Sequence, residues 1–221
     1  MGPHAARRPA ASGIADPYAA ALGTGRGPLF LHCADGRLLP LDVERWCSVP
    51  DAADRSVLRR CKGAVLDVGC GPGRMAAGLL RRGHRALGID IHPGAVRHTR
   101  AAGGRALRRS VFGRLPGEGG WHTALLLDGS IGIGGDPAAL LVRLAEVVAP
   151  HGLLLAEATG EDDDERMAVR MCDGHGRCGA PFPWARLGLR ALAAVAAETP
   201  WSLEETWQQG SRAFAALRRE G

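Results

Sequence analysis

The stretch Val65-Leu66-Asp67-Val68-Gly69-Cys70-Gly71-Pro72-Gly73-Arg74 carries the strongest chemical signal in the chain. An apolar run ends there in a glycine-rich turn that opens a helix. Such a turn lets a ligand approach the backbone, and the helix start offers free N–H groups. A dinucleotide fingerprint needs G-x-G-x-x-G, but that register puts Arg74 at the third glycine, leaving G-x-G-x-G. Asp67, two residues before the first glycine, would repel a pyrophosphate and suit an ammonium or a sulfonium. The next apolar run ends in Gly88-Ile89-Asp90-Ile91, and an acid at that point suits the cis-diol of a ribose. A ribose, a nearby cation and no diphosphate are together satisfied by S-adenosylmethionine.

Other residues offer catalytic chemistry. Leu127-Asp128-Gly129-Ser130-Ile131-Gly132-Ile133-Gly134-Gly135-Asp136 ends a further apolar run; it reads both as a loop passing close to ligand and as a helix start capped by Asp136 before Pro137. Methyl transfer to oxygen needs a general base, for which Asp128 leads and His32, His92, His122 and His175 follow. His122 precedes its strand and so falls at the wrong end of the sheet. Cys172, His175 and Cys178 fall within seven residues and have zinc-like chemistry, but no fourth ligand is evident. That segment is read as a glycine-rich hairpin turn, without a metal. Tyr18, the one tyrosine, is read as a lid or as part of a helix docked on the sheet edge.

The elements that position these groups follow from the pattern. Apolar runs at 64–68, 85–91, 106–112, 123–128 and 153–158 alternate with helical periods at 75–82, 93–102 and 137–148. Leu140, Leu141, Leu144, Val147 and Val148 give the last of these helices one buried face. Strand–helix alternation means βαβ units and a parallel sheet covered on both faces. Before it, two apolar runs flank Asp35-Gly36 as a hairpin whose second strand, holding Pro40, belongs on an edge, and Asp51 caps a helix over 52–61. After it come a charged bend at 161–165, an extra strand at 166–172, a turn at 173–176, a helix marked by Trp184, Leu187, Leu192 and Val195, and a terminal hairpin over 202–218.

With 221 residues, 46% of them hydrophobic and 23% charged, the chain can bury a full core and is neither fibrous nor globally disordered. Apolar runs fall short of a membrane span. The net charge of +5 rests on scattered arginine pairs beside a single lysine, Lys62, and does not form a nucleic-acid tract. Six cysteines without an apolar leader read as reduced thiols, which places the chain in the bacterial cytoplasm.

Leu66–Arg74 followed by Asp90 resembles motifs I and II of the class I S-adenosylmethionine-dependent methyltransferases, with the likeness covering about residues 62–160. The resemblance implies a Rossmann-like α/β fold, with a mainly parallel seven-stranded sheet ordered 3-2-1-4-5-7-6 and helices on both faces. It places Asp67 near the methionine ammonium, Gly69, Cys70, Gly71 and Gly73 along methionine and ribose, Asp90 on the ribose and Ile91 on the adenine. Ser110, Val111 and Phe112 stand where family members often have an acid for the adenine. Asp128 and Gly129 would face the methyl group and the acceptor, and Tyr18 would close over the cofactor. The expected organisation is a tail at 1–16, an N-terminal hairpin and helix cap at 17–61, and a cofactor domain at 62–221 with an acceptor-side insertion at about 161–184. The expected function is methyl transfer to oxygen or nitrogen of a small molecule, with Trp46, Phe182 and Trp184 near the acceptor. A nucleic-acid methyltransferase and a cofactor-binding protein without methyl transfer are the alternatives; the fourth strand lacks the Asp/Asn-Pro-Pro-aromatic motif of base-directed enzymes.

Overall fold

The computed structural model describes residues 16–159 and 163–221, so the expected tail up to residue 15 and part of the charged bend lie outside the described residues. The described residues open with α1 (Pro17–Thr24), which Asp16 starts by accepting a hydrogen bond from the Ala19 N–H. The hairpin β1 (Leu29–Cys33) and β2 (Leu38–Pro40) follows, then α2 (Val43–Trp46) and α3 (Ala52–Arg60). A reciprocal capping box between Asp51 and Asp54 starts α3.

Next come β3 (Val65–Val68), α4 (Arg74–Arg81), β4 (Ala86–Asp90), α5 (Pro93–Ala101), β5 (Ala106–Arg108), β6 (Trp121–Leu126), α6 (Pro137–Val147) and β7 (Val148–Ala158). The third run thus pairs over only three residues rather than seven, and residues 109–112 leave the sheet edge as a turn. The chain ends with β8 (Asp164–Asp173), β9 (Cys178–Leu187), α7 (Leu189–Ala197), β10 (Trp201–Gln209) and β11 (Arg212–Arg219).

Seven strands form the larger sheet, in the order β10-β11-β7-β6-β3-β4-β5. Strands β3 to β7 pair in parallel; β11 runs antiparallel to β7, and β10 antiparallel to β11. Numbered within this sheet and read from the β5 edge, the order is 3-2-1-4-5-7-6. The order reverses beside β3, which puts a crevice at the carboxyl ends of β3, β4 and β6. Both faces are covered. Leu66, Leu126, Leu154 and Leu217 pack with α6 and α7, while Val65, Leu125, Leu155 and Phe214 pack with α3 and α4. No helix among the described residues is long and apolar enough to cross a membrane.

The smaller sheet joins two segments that the sequence presents separately. Its order is β2-β1-β8-β9, so the N-terminal hairpin and the acceptor-side segment are one antiparallel sheet. Strand β1 pairs with β8 along its whole length, from Leu29 opposite Asp173 to Cys33 opposite Val169. Trp184 and Leu187, expected in a helix, lie in β9, because their strand has β8 as a pairing partner; the helix begins at Leu189. A second correction concerns thiols. Cys172 and Cys178 face each other across β8 and β9 with Cα atoms 4.1 Å apart and are joined by a disulfide, whereas Cys33, Cys47, Cys61 and Cys70 are free.

Candidate active site

A cleft of about 860 Å³ lies between the carboxyl ends of the parallel strands and the inner face of the smaller sheet. The turn after β3 supplies its floor. Asp67, the third residue of that strand, is 4% exposed, and its Oδ2 has no hydrogen-bond partner. Burial, reinforced by the neighbouring Asp128 charge and only partly offset by Arg74, pushes its carboxyl up to about 7. An unpartnered buried acceptor beside a glycine turn is built for a cationic donor.

Asp90 ends β4 on the same floor. Its Oδ2 accepts from the Gly71 N–H at 3.0 Å and its Oδ1 from the His92 N–H at 2.8 Å, which locks the carboxylate against the turn while leaving lone pairs for hydroxyl groups. Burial holds its carboxyl above the ordinary aspartate range. Gly69, Gly71 and Gly73 all adopt positive φ in this turn. The Cys70 side chain turns away from the cleft, packing on Gly88 and standing 3.6 Å from the Thr99 hydroxyl; only its backbone serves the turn. Ile91 is 69% exposed and Phe112 47%, and both line the cleft, so two large apolar groups flank a planar slot. Ser110 and Val111 also line this end, and Val111 at the same time packs into the core with α6.

Tyr18 covers the turn from above. A Cβ on Gly71 would come within 3.5 Å of its hydroxyl, and its ring meets His92 edge-on at 4.8 Å and Trp46 at 6.3 Å. Burial and the Asp90 charge raise its phenol well above the ordinary value. Trp46 lines the same cleft and its buried Nε1 donor has no partner.

Asp128 occupies a left-handed backbone position (φ 55°) just beyond β6. Its Oδ2 lies 2.6 Å from Arg74 and its Oδ1 2.7 Å from Arg45 and 3.4 Å from Arg212. Arg212 in turn grips Glu157 on β7 with two 2.7 Å contacts and Asp54 on α3 at 2.8 Å, and Glu157 accepts from the Asp128 N–H at 2.8 Å. Six elements or their loops are therefore tied together by charge beneath the cleft. With both oxygens engaged, Asp128 is an anchor of this network, which does not fit the expected role of general base. The histidines are placed no better for that role. His92 caps α5 through Nδ1 and contacts Asp16 through Nε2 at 2.9 Å; His122 sits at the opposite end of the sheet against Gly63; His175 lies in the exposed hairpin turn. His32 alternates with Leu31, which lines the cleft, and so points to the other face of its strand.

The glycine run after Asp128 makes room for protein. A Cβ at Gly132 would lie 2.2 Å from the Ala185 carbonyl and 2.8 Å from the Trp184 ring, and one at Gly134 would lie 2.7 Å from Phe112. The loop is thus pressed against β9 and Phe112, and Asp136 caps α6 through the Ala139 N–H at 3.0 Å. Opposite it, Leu31, Met171, Phe182 and Trp184 give the other half of the cleft an apolar, aromatic wall. Sequence reasoning passed over Arg45, Asp54, Glu157 and Arg212. An acid inside the apolar run of β7 was a readable signal for Glu157; Arg212, one of many arginines, offered none.

Residues 65–152 match the family model of a methyltransferase domain. Among solved structures, the chain is similar to a SAM-dependent methyltransferase from Bacteroides fragilis in complex with S-adenosyl-L-homocysteine, at 22% identity, TM-score 0.76 and 93% coverage of both chains. A sugar N-methyltransferase from a Streptoalloteichus species matches at 18% identity and TM-score 0.63, over 100% of both chains. A Burkholderia thailandensis 1,6-didemethyltoxoflavin N1-methyltransferase matches at 19% identity and TM-score 0.58, over 77% of this chain and 79% of that one. The segment 65–152 is therefore matched by a methyltransferase-domain model, and the solved structures share the fold built around it.

Proposed function

We propose that the chain binds S-adenosylmethionine on the glycine-turn side of the cleft and methylates a small, partly planar acceptor held against the smaller sheet. The observation that carries this reading is the buried Asp67 Oδ2 at the end of β3, a carboxylate oxygen left without a donor beside the glycine turn. Asp67 accepts from the ammonium group, and the free Trp46 Nε1–H donates to an oxygen of the ligand. Asp90 holds the ribose hydroxyls, Ile91 and Phe112 enclose the base together with Ser110, and Tyr18 closes over the turn. When bound, S-adenosylmethionine supplies an activated methyl group on sulfur for in-line displacement.

The protein's share of the work is placement. Orienting two bound reactants supplies much of such a rate enhancement without a proton transfer. The candidate bases are engaged elsewhere: Asp128 with three arginines, His92 with its helix and Asp16. An acceptor that attacks with a neutral lone pair needs no base, which favours nitrogen over a hydroxyl group. Two similar structures belong to N-methyltransferases of small molecules, one for a sugar and one for 1,6-didemethyltoxoflavin, and they support the same choice. Calorimetric titration with S-adenosylmethionine, followed by mass-spectrometric screening of matched amine and hydroxyl acceptors, tests the reading. Saturable binding and methylated amines are expected; absence of binding, or transfer confined to hydroxyl acceptors, would overturn it.

A further inference from the structure

The outer face of the smaller sheet carries a second constellation. The nearest ligand atoms of His32 on β1, Cys172 on β8 and Cys178 on β9 all lie within 4.8 Å of one another. Cys172 is buried and the other two are half-buried. Phe30 stands opposite Cys172 in the ladder, so the cysteine shares the face of Phe30 and His32, while Leu31 and Met171 of the same strands line the cleft on the other side. Between Arg170 and Cys172 the β8–β9 ladder shifts by one residue, a bulge that brings Cys178 opposite Cys172. The short spacing of Cys172, His175 and Cys178 suggested a metal loop, but folding supplies a different histidine: the His175 backbone N–H is bound by Asp173 within the turn, and the imidazole beside the sulfurs comes from a strand about 140 residues earlier.

We propose that this cluster is a redox-gated zinc site: His32, Cys172 and Cys178 bind one Zn²⁺ when the cysteines are reduced, with solvent as the fourth ligand, and release it when they are joined. Two thiolates and one imidazole are a preferred zinc donor set. Zn–S bonds of about 2.3 Å in a tetrahedron put the two sulfurs about 3.8 Å apart, a separation that opposed strand positions reach by side-chain rotation. The steps balance with a dithiol reductant, which takes up the oxidation as its own disulfide. The dithiol reduces the Cys172–Cys178 bond to two thiols; the thiols then bind Zn²⁺ and release two protons to solvent. Thiol–disulfide exchange with a small-molecule disulfide, which takes up the two electrons and two protons and leaves as two thiols, reforms the S–S bond of the bound thiolates and frees the metal. Because β1 and β8 also present Leu31 and Met171 to the cleft, both states staple the back of the acceptor wall.

The test uses the full chain, reduced with dithiothreitol and desalted anaerobically, or oxidised with diamide, and titrated with Zn²⁺ against a chromophoric chelator. The reduced chain should take up one zinc per chain and the oxidised chain none at that affinity. His32→Ala should weaken uptake at least about tenfold, the Cys172→Ser and Cys178→Ser double variant should lose it, and His175→Ala should leave it unchanged. Co²⁺ in place of Zn²⁺ should show thiolate-to-metal absorption that both cysteine changes remove. Equal uptake by reduced and oxidised protein, no uptake by reduced protein, or uptake unchanged by His32→Ala would each overturn the proposal. If the cysteine variants fail to fold, the redox pair of the unmodified chain and His32→Ala still decide it.

Discussion

The two walls of the cleft are built on opposite plans. On the parallel-sheet side, polarity is concentrated and buried: Asp54, Asp67 and Arg74 are all below 9% exposure, and Asp128, Glu157 and Arg212 are bound into the same charged set. The antiparallel sheet meets the cleft with Leu31, Met171, Phe182 and Trp184 and keeps its charges on rims and its far face. The cofactor wall therefore fixes orientation through charge, where small displacements are costly. On the proposed function, the acceptor wall recognises by shape and contact, where side chains can be exchanged at modest cost. Side chains of the apolar wall can therefore change without disturbing the charged network beneath the other wall.

The contrast is most severely tested at Asp128. Asp128→Ala removes the one carboxylate that Arg45, Arg74 and Arg212 all contact, and loss of one partner from a buried ion network costs about 3–5 kcal/mol. A urea-unfolding midpoint close to that of the unmodified chain would break the comparison. Asp67→Asn keeps the volume but removes the charge, so S-adenosylmethionine affinity should fall about 10- to 100-fold, with little change in melting temperature, as calorimetry and thermal scanning would report. Gly132→Ala forces a methyl group toward the Ala185 carbonyl, 2.2 Å away, and should cost about 1–3 kcal/mol while loosening the smaller sheet, visible as faster amide exchange in β9. Trp184→Ala should raise acceptor KM about tenfold and leave cofactor affinity unchanged; a parallel loss of cofactor binding would show that the walls are not independent.

The smallest effect is one of pH. The Asp67 carboxyl is held at about 7 in the folded protein, above its ordinary value of 3.8. Its contribution to stability is fully present below about 4 and is lost as pH rises through about 7. A cationic ligand selects the ionised form, so cofactor affinity should rise less than about tenfold per pH unit up to 7 and level off above it. Calorimetry in buffers of different ionisation heat should detect proton release on binding below that point.

The cofactor wall was largely legible because its parts are local. Asp67, the glycine turn and Asp90 lie within one βαβ unit, where spacing alone brings them together, and the alternation of apolar runs specified the layers. Asp128 was found at the right place with a role its surroundings do not fit: a carboxylate reads alike in sequence whether it is free or held by three guanidiniums contributed from elsewhere. The acceptor wall was illegible for a related reason. The hairpin at 29–40 and the strands at 164–187 each looked like separate additions, because nothing in either stretch declares that Leu29 pairs with Asp173. Trp184 and Leu187 fit a helical spacing as well as a strand, and only the partner strand decides between them. The glycines after Asp128 read as a loop close to ligand; Ser130, Ile133 and Gly134 do line the cleft, while Gly132 and Gly135 make room for β9.

The pairing of β1 with β8 also sets an order of assembly. As the chain leaves the ribosome, the hairpin of residues 29–40 emerges far ahead of residues 164–173, which flank it in the finished protein. A lone two-stranded hairpin is marginal in water, so this stretch waits, largely unprotected, while the parallel sheet forms behind it. The binding wall is completed only when residues 164–187 join the waiting hairpin, across the five parallel strands already made. A nascent chain arrested before residue 164 would hold the glycine turn and Asp90 but lack two strands of its acceptor wall, so recognition of the nucleoside should precede recognition of the acceptor during synthesis itself.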